Sequence, residues 1–188
     1  MNKADLILFE VDIADLFEQA KIPSPVHLSK GNEEELIEIF KSIKKDDFVF
    51  SNHRSHYHAL LKGIPPEWLK AEILANRSIT INNSEYRFFS SAIVGGILPI
   101  AVGVAMTGQT VWCFCGDMAG HTGMFYECQK YAQRHNLPIT FVIEDNGHSV
   151  CSPTEIVWGT EKEKANVIHY QYESVYPHQG SSDKFVVF

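Results

Sequence analysis

Apolar residues at Leu6, Phe9, Ile13, Leu16 and Phe17 recur at three- and four-residue intervals. That spacing lines one face of a helix and predicts one over residues 2–20. "PSP" at 23–25 breaks it. "GNEEELIEIFKSIKK" predicts a second helix, with acids in its first turn and lysines in its last, as the helix dipole favours. Residues 46–51 read as a short strand and 53–63 as a helix closed by Gly63. "PPEWLKAEILA" restarts a helix with prolines at its entry, where a missing N–H costs nothing. Residues 76–91 show neither period and are expected to form a loop.

"AIVGGILPIAVGVAMTG" (92–108) is rich in small apolar residues. It is too short for a membrane span and contains Pro99, so it reads as a helix buried against close neighbours. "TVWCFCGD" and "LPITFVIEDNG" are continuous apolar runs that stop at polar residues, with a helical stretch at 120–136 between them. Such runs predict strands buried on both faces of a parallel sheet. The tail, "NVIHYQYESVYPHQGSSDKFVVF", alternates at first and predicts one or two further strands. The expected architecture is α/β: a three-layer, doubly wound, mainly parallel sheet with helices on both faces. We expect one domain over 1–188, with a helical segment at 1–45 and a strand-containing tail at 160–188.

Composition changes this picture little. A net charge of −7 argues against a nucleic-acid partner, which needs clustered Lys and Arg. The first apolar stretch carries acids throughout, unlike a secretory leader, and no run suits a membrane. The expectation is therefore a cytoplasmic chain. Cys113, Cys115, Cys128 and Cys151 form no C-x-x-C pair and are expected to be reduced thiols in the core.

The two buried runs end in chemistry. One delivers Asp117, the other Glu144, Asp145 and Asn146. Neighbouring parallel strands would turn Asp117 and Asn146 into one crevice, where ligands of such sheets bind. A carboxylate and an amide oxygen are hard ligands suited to magnesium, which fills its remaining positions with water and phosphate oxygens. The glycine-rich turn after Asp117 frees N–H groups at a helix start, a place for phosphate. The same residues also suit a helix-capping aspartate and a turn asparagine.

"GDMAGHTGMFYECQKYAQRHNLPITFVIEDNGHSV" resembles the signature of thiamine-diphosphate enzymes, Gly-Asp-Gly followed about thirty residues later by Asn. It is most similar to the alpha subunits of 2-oxo acid dehydrogenases, with transketolase amino-terminal domains close behind. The resemblance implies that Asp117, the Asn146 side chain and the His148 carbonyl hold magnesium, and that Gly116, Asp117, Met118 and Ala119 lie along the diphosphate. Met118 departs from the pattern, standing where the family has its second glycine. "VFSNHRSHYHALLKG" is similar to the family stretch that binds diphosphate and orients substrate. It maps Arg54 to phosphate, His53 to the position of a phosphate-binding aromatic, and His56 to proton transfer. His58 matches no family role. "SAIVGGILPIAVGVAMTG" resembles the Gly-Ile-Val-Gly segment, implying backbone contacts from Ala92 and Val94 to the cofactor's aminopyrimidine. The similar region covers roughly residues 46–159.

The resemblance further implies an α/β enzyme subunit that binds thiamine diphosphate and magnesium and cleaves a carbon–carbon bond next to a carbonyl in a 2-oxo acid or ketose. The glutamate that activates the cofactor belongs to a pyrimidine-binding domain, for which the residues after the signature are too few. It is expected from a separate beta-type chain in a hetero-oligomer such as a heterotetramer, rather than from Glu127, Glu144 or Asp145. Transketolase-like transfer, a two-chain decarboxylase and a non-catalytic regulatory module stay open. The later family loop that supplies another cofactor-facing histidine has no clear counterpart, and His178, in "YPHQG", is not aligned to it. The small-residue helix at 93–107 is expected to meet another subunit.

Overall fold

The structure, a computed structural model, describes residues 1–150, 152–159 and 166–182. Asn2 starts the first helix, α1 (Lys3–Glu18), through a reciprocal cap: its side chain accepts from the Asp5 N–H at 3.0 Å, and its own N–H donates to Asp5 at 2.9 Å. Three acids open α2 (Glu33–Phe40), but the helix stops before the expected lysines. The chain must turn there to enter the sheet, and Lys62 Nζ donates to the freed carbonyls of Lys44 and Lys45, at 2.8 Å each. Strand β1 (Phe48–Ser51) follows, then α3 (His56–Leu61) and α4 (Pro66–Leu74), which has proline at its first position as expected.

Residues 76–91 are not all loop. They contain β2 (Asn82–Asn83) and β3 (Phe88–Ser90). Two or three residues are too few to show a period, and β3 exists because it pairs with β1 from Val49↔Phe88 to Ser51↔Ser90. Helix α5 (Ile97–Ala105) is shorter than the apolar run, and Pro99 falls in its first turn, where no N–H donor is needed. The two predicted central strands are β4 (Val111–Gly116) and β5 (Ile139–Asp145). Between them lie α6 (Asp117–Gly120) and α7 (Gly123–Arg134). A small hairpin, β6 (His148–Ser149) with β7 (Ser152–Pro153), leads into α8 (Thr154–Trp158). Among the described residues the tail supplies one strand, β8 (Val167–Gln171). Residues 183–188, and with them any second strand, lie outside the described residues, as does Cys151.

The six-stranded sheet runs β2-β3-β1-β4-β5-β8 and is parallel except for β2. Successive residues of the central strands point to opposite faces and feed two cores. Val49, Phe114 and Val142 pack under α1–α4, while Phe50, Cys113, Cys115, Phe141 and Ile143 pack under α5–α7. Three layers therefore form, as the continuous apolar runs require. Cys113, Cys115 and Cys128 are buried in the second core. Among the described residues no helix is long and apolar enough to cross a membrane.

From β1 the chain goes to β3 on one side, then returns through α5 to β4 on the other. The loops after β1 and β4 thus diverge at their carboxyl ends and open a crevice at the switch point.

Candidate functional site

The crevice is lined by residues from both strand ends and from β5: Asn52, His53 and Arg54 after β1, Gly116–Ala119 after β4, and Glu144, Asn146 and His148 at the end of β5. Val94 borders it from the loop before α5, and Tyr172 and His178 from the tail. Its volume is about 90 Å³, and Arg54, Asn146, His148, Tyr172 and His178 also border an adjoining cavity of about 640 Å³.

In-register pairing of Gly116 with Glu144 sets Asp117 and Asp145 side by side. Both are buried. Burial pushes the Asp117 carboxyl above its ordinary pKa. Hydrogen bonds from the Thr154 hydroxyl and the Met118 N–H oppose this, and Asp145 reinforces it. Burial acts on Asp145 in the same direction. There, hydrogen bonds from Gln171, the Gly147 N–H and His169 outweigh it and hold the group below its ordinary value.

The Asn146 amide oxygen accepts from the His148 N–H at 3.2 Å, bending the chain so that His148 enters the hairpin beside α6. That oxygen keeps a second lone pair. Asp117, Asn146 and the His148 carbonyl are hard oxygen donors. A divalent cation would relieve the repulsion between the two facing carboxylates, so these residues fit magnesium.

Arg54 is buried, and its guanidinium donates to the Leu28 carbonyl and, at 3.4 Å, to the His178 carbonyl. These bonds use part of the donor fork and fix its direction. Behind it, Glu144 gathers a polar cluster. Its carboxylate accepts from Tyr170 at 2.6 Å, Asn32 at 3.3 Å and Asn52 at 3.4 Å, and His58 Nε2 stands 3.1 Å away. Sequence reasoning missed this cluster because its members lie up to 112 positions from Glu144 in the chain. It also missed His27, Thr154 and Tyr172, which no local pattern marks. His58, without a role in the sequence reading, is fully buried here, its ring 4.6 Å from that of Phe114.

Two expected site residues stand elsewhere. His56 is fully buried, with Nε2 3.0 Å from the Ser78 hydroxyl and Nδ1 3.8 Å from Glu10, and it does not line the crevice. The helix it begins turns it into the first core, away from the strand ends. The expectation that it handles a proton of the substrate is corrected on that ground. Ala92 is exposed and lies outside the crevice lining, which starts one residue later at Ile93. Met118 lines the crevice, and its sulfur accepts from the Trp158 indole N–H at 2.9 Å.

Residues 2–167 match the model of the dehydrogenase E1 component family. The chain is 31% identical to the alpha subunit of acetoin:2,6-dichlorophenolindophenol oxidoreductase of Bacillus subtilis, over 78% of this chain and 49% of that one. It is 31% identical to the Cupriavidus necator protein of the same name, over 71% and 45%. It is 29% identical to the pyruvate dehydrogenase E1 component subunit alpha of Porphyra purpurea, over 73% and 47%. The chain thus spans about half the length of the curated relatives it matches.

Proposed function

The chain belongs to the dehydrogenase E1 component family, and from that premise we propose that it is the diphosphate- and magnesium-binding subunit of a two-chain thiamine-diphosphate enzyme. The enzyme cleaves a carbon–carbon bond next to a carbonyl, in the manner of a 2-oxo acid dehydrogenase. The observation that carries this reading is the meeting of Arg54, Asp117, Asn146 and His148 around one crevice at the switch point of the sheet.

When bound, thiamine diphosphate supplies the electron sink for the cleavage. Asp117, Asn146 and the His148 carbonyl hold the magnesium ion. Arg54, aimed by the Leu28 and His178 carbonyls, offers its remaining N–H groups to diphosphate oxygens. His53 borders the same space and adds a neutral donor, since burial lowers its pKa to about 4. Gly116 leaves its surroundings open, with nothing within 4 Å of where a Cβ would stand. The Glu144 cluster keeps Asn52, and through it the Arg54 N–H at 2.7 Å, in position.

Relatives named as alpha subunits support a beta-type partner, which brings the activating glutamate. Ile93 and Val94, which line the crevice, and Ile100 on α5 stand exposed and offer that partner an apolar face. Gly103 faces outward too and leaves room for a neighbouring chain, while Ala101 and Ala105 of the same helix pack into this chain's own core. The relatives' names mention acetoin and pyruvate, which favours a small 2-oxo or 2-hydroxyketone substrate.

The test is cofactor binding, by calorimetry, to the chain with its partner and magnesium. Asp117→Ala is expected to weaken binding by at least about 100-fold, roughly 2.7 kcal/mol. Unchanged affinity would remove the site assignment. One observation favours a second reading, a non-catalytic module of the same fold: the Met118 side chain, pinned by Trp158, takes up space in a small crevice. Failure of the assembled complex to bind cofactor, with Met118→Gly restoring it, would establish that reading.

A further inference from the structure

The carboxylate of Glu10, on α1, is fully buried and outside the crevice lining. Its Oε2 accepts from the Ser29 N–H at 2.8 Å and the Lys30 N–H at 3.1 Å, and Oε1 accepts from the Ser29 N–H at 2.9 Å. The segment so held gives its Leu28 carbonyl to the Arg54 guanidinium and its Lys30 carbonyl to the Val175 N–H, the latter at 3.1 Å. It also carries His27, whose ring lies 4.4 Å from that of His53 and 5.0 Å from that of His178. Arg54, the tail and the crevice histidines are therefore all tied to a segment that Glu10 anchors. We propose that Glu10 is a positioning residue for the diphosphate site, and that the proton on its carboxyl sets how tightly Arg54 holds an anion. The identity of the anion rests on the cofactor reading; the coupling between proton and anion does not.

Hydrogen bonding accounts for the positioning. Lys30 and Gly31 both take positive φ, at 23° and 126°. That conformation is unfavourable for a lysine, and the bonds to Glu10 hold it in place. Buried N–H groups need an acceptor, and the carboxylate supplies one to Ser29 and Lys30 together.

Charge accounts for the coupling. Burial raises Glu10 to about 7, against the pull of the Ser29 and Lys30 N–H groups and of Arg54, so both forms are populated near neutral pH. The proton has a place to go. Oε1 stands 3.8 Å from His56 Nδ1, a fully buried nitrogen with no hydrogen-bond partner among the described residues. Burial lowers His56 to about 4, so its ring is neutral. With its own proton on Nε2, 3.0 Å from the Ser78 hydroxyl, the ring leaves Nδ1 as an acceptor. A proton taken from solvent onto Oε1 faces that nitrogen, while Oε2 goes on accepting from both N–H groups. The geometry is kept and the charge is lost.

Other ionisable neighbours do not supply the effect. Tyr57 of α3, whose hydroxyl donates to Glu33 of α2 at 3.1 Å, and Tyr172 and Tyr176 of the tail are all raised by burial and stay uncharged. Arg54 is the fixed cation that acts on Glu10. An ionised Glu10 offsets part of that charge. An anion arriving beside Arg54 favours the protonated form, so binding takes up a proton. By linkage, affinity is highest below about 7, falls as pH rises past it, and levels off once Glu10 is ionised in the bound state too.

The test measures Kd by calorimetry from about pH 6 to about 8.5, on either side of an ionisation near neutrality. Two probes are used: thiamine diphosphate with magnesium on the chain assembled with its partner, and inorganic pyrophosphate without magnesium on the chain alone. In the parent, Kd should rise with pH by at least about fivefold, the low end of coupling between linked sites. The probe's own titration is common to all variants and cancels in their ratio. Glu10→Gln keeps an oxygen for both N–H groups and turns its amide toward His56 Nδ1. It should remove the rise and bind at least about fivefold tighter than the parent at the alkaline end. A residue that merely supports the fold gives no variant that binds tighter. Glu10→Leu leaves both N–H groups without their acceptor and should weaken binding by at least about tenfold at every pH. If Glu10→Leu does not fold, the Glu10→Gln profile decides. A parent-like profile in Glu10→Gln overturns the proposal, and the cofactor reading stands if Asp117→Ala still weakens thiamine diphosphate binding. A Glu10-dependent profile with pyrophosphate, but no binding of thiamine diphosphate, sinks the cofactor reading alone. Binding of neither probe overturns both.

Discussion

At Gly31 the backbone adopts φ +126°, and a Cβ there would stand 2.2 Å from the Glu173 carbonyl oxygen. Gly31→Ala is expected to destabilise the chain by at least about 1–3 kcal/mol, read by urea unfolding, because backbone strain and the clash act together. Two buried groups nearby set opposed pH dependences. Burial raises Glu10 to about 7, although the Ser29 and Lys30 N–H groups donate to it. Between its unfolded value near 4.5 and about 7 the native state holds the extra proton, so Glu10 makes stability fall as pH rises. Burial lowers His56 to about 4. Between about 6.5 and 4 the unfolded state holds the extra proton, so stability is lost as pH falls. Glu10→Gln removes the first effect alone. Unfolding free energy measured from pH 5 to 7 should then climb more steeply with pH than in the parent, by at most roughly 3 kcal/mol over the window. An identical slope would mean that Glu10 ionises in its ordinary range.

At the scale of elements, the turn between α6 and α7 decides how the signature is presented. Thr122 accepts from the Phe125 N–H at 3.2 Å and donates to the Ala119 carbonyl at 2.8 Å, closing one helix and starting the next. Thr122→Ala should cost about 1 kcal/mol in unfolding free energy. If the turn also holds Asp117 in place, magnesium affinity should fall with it. The sequence marked the long elements well. The period of α1, the proline entry of α4 and the apolar runs of β4 and β5 all correspond to what forms. It missed α2's early end and the strands β2 and β3, which depend on where the chain must join the sheet. Phe114 joins the two scales, stacked 5.5 Å from Phe40 and edge-on to His58. Phe114→Ala should cost about 3–5 kcal/mol, seen as a lower denaturant midpoint with the slope preserved.

For the whole molecule, the exposed apolar residues on α5 and just before it bear on assembly. Ile93 is 74% exposed and Ile100 55% exposed. Replacing both with aspartate should abolish co-elution with a beta-type partner on size exclusion while shifting the isolated chain's melting temperature by only a few degrees. Surface substitutions away from packed features change stability little, so a large drop in melting temperature would show that these residues serve the chain's own fold.

Patterning along the chain was enough to establish the layered α/β class, the order of the two central strands and the oxygen donors at their ends, because period and turn chemistry are local properties. Asp117 and Asn146 could be picked out for the same reason, since each follows directly on an apolar strand, whereas Arg54 was marked by the family resemblance of the stretch around it. Only the folded arrangement decided that His56 enters the core, that Glu144 gathers partners from four distant segments, and that His27, His53 and His178 come together. Those outcomes depend on contacts between residues far apart in the chain. Side-chain direction at a helix start and pairing across segments are set by packing of the whole sheet, which no local pattern records.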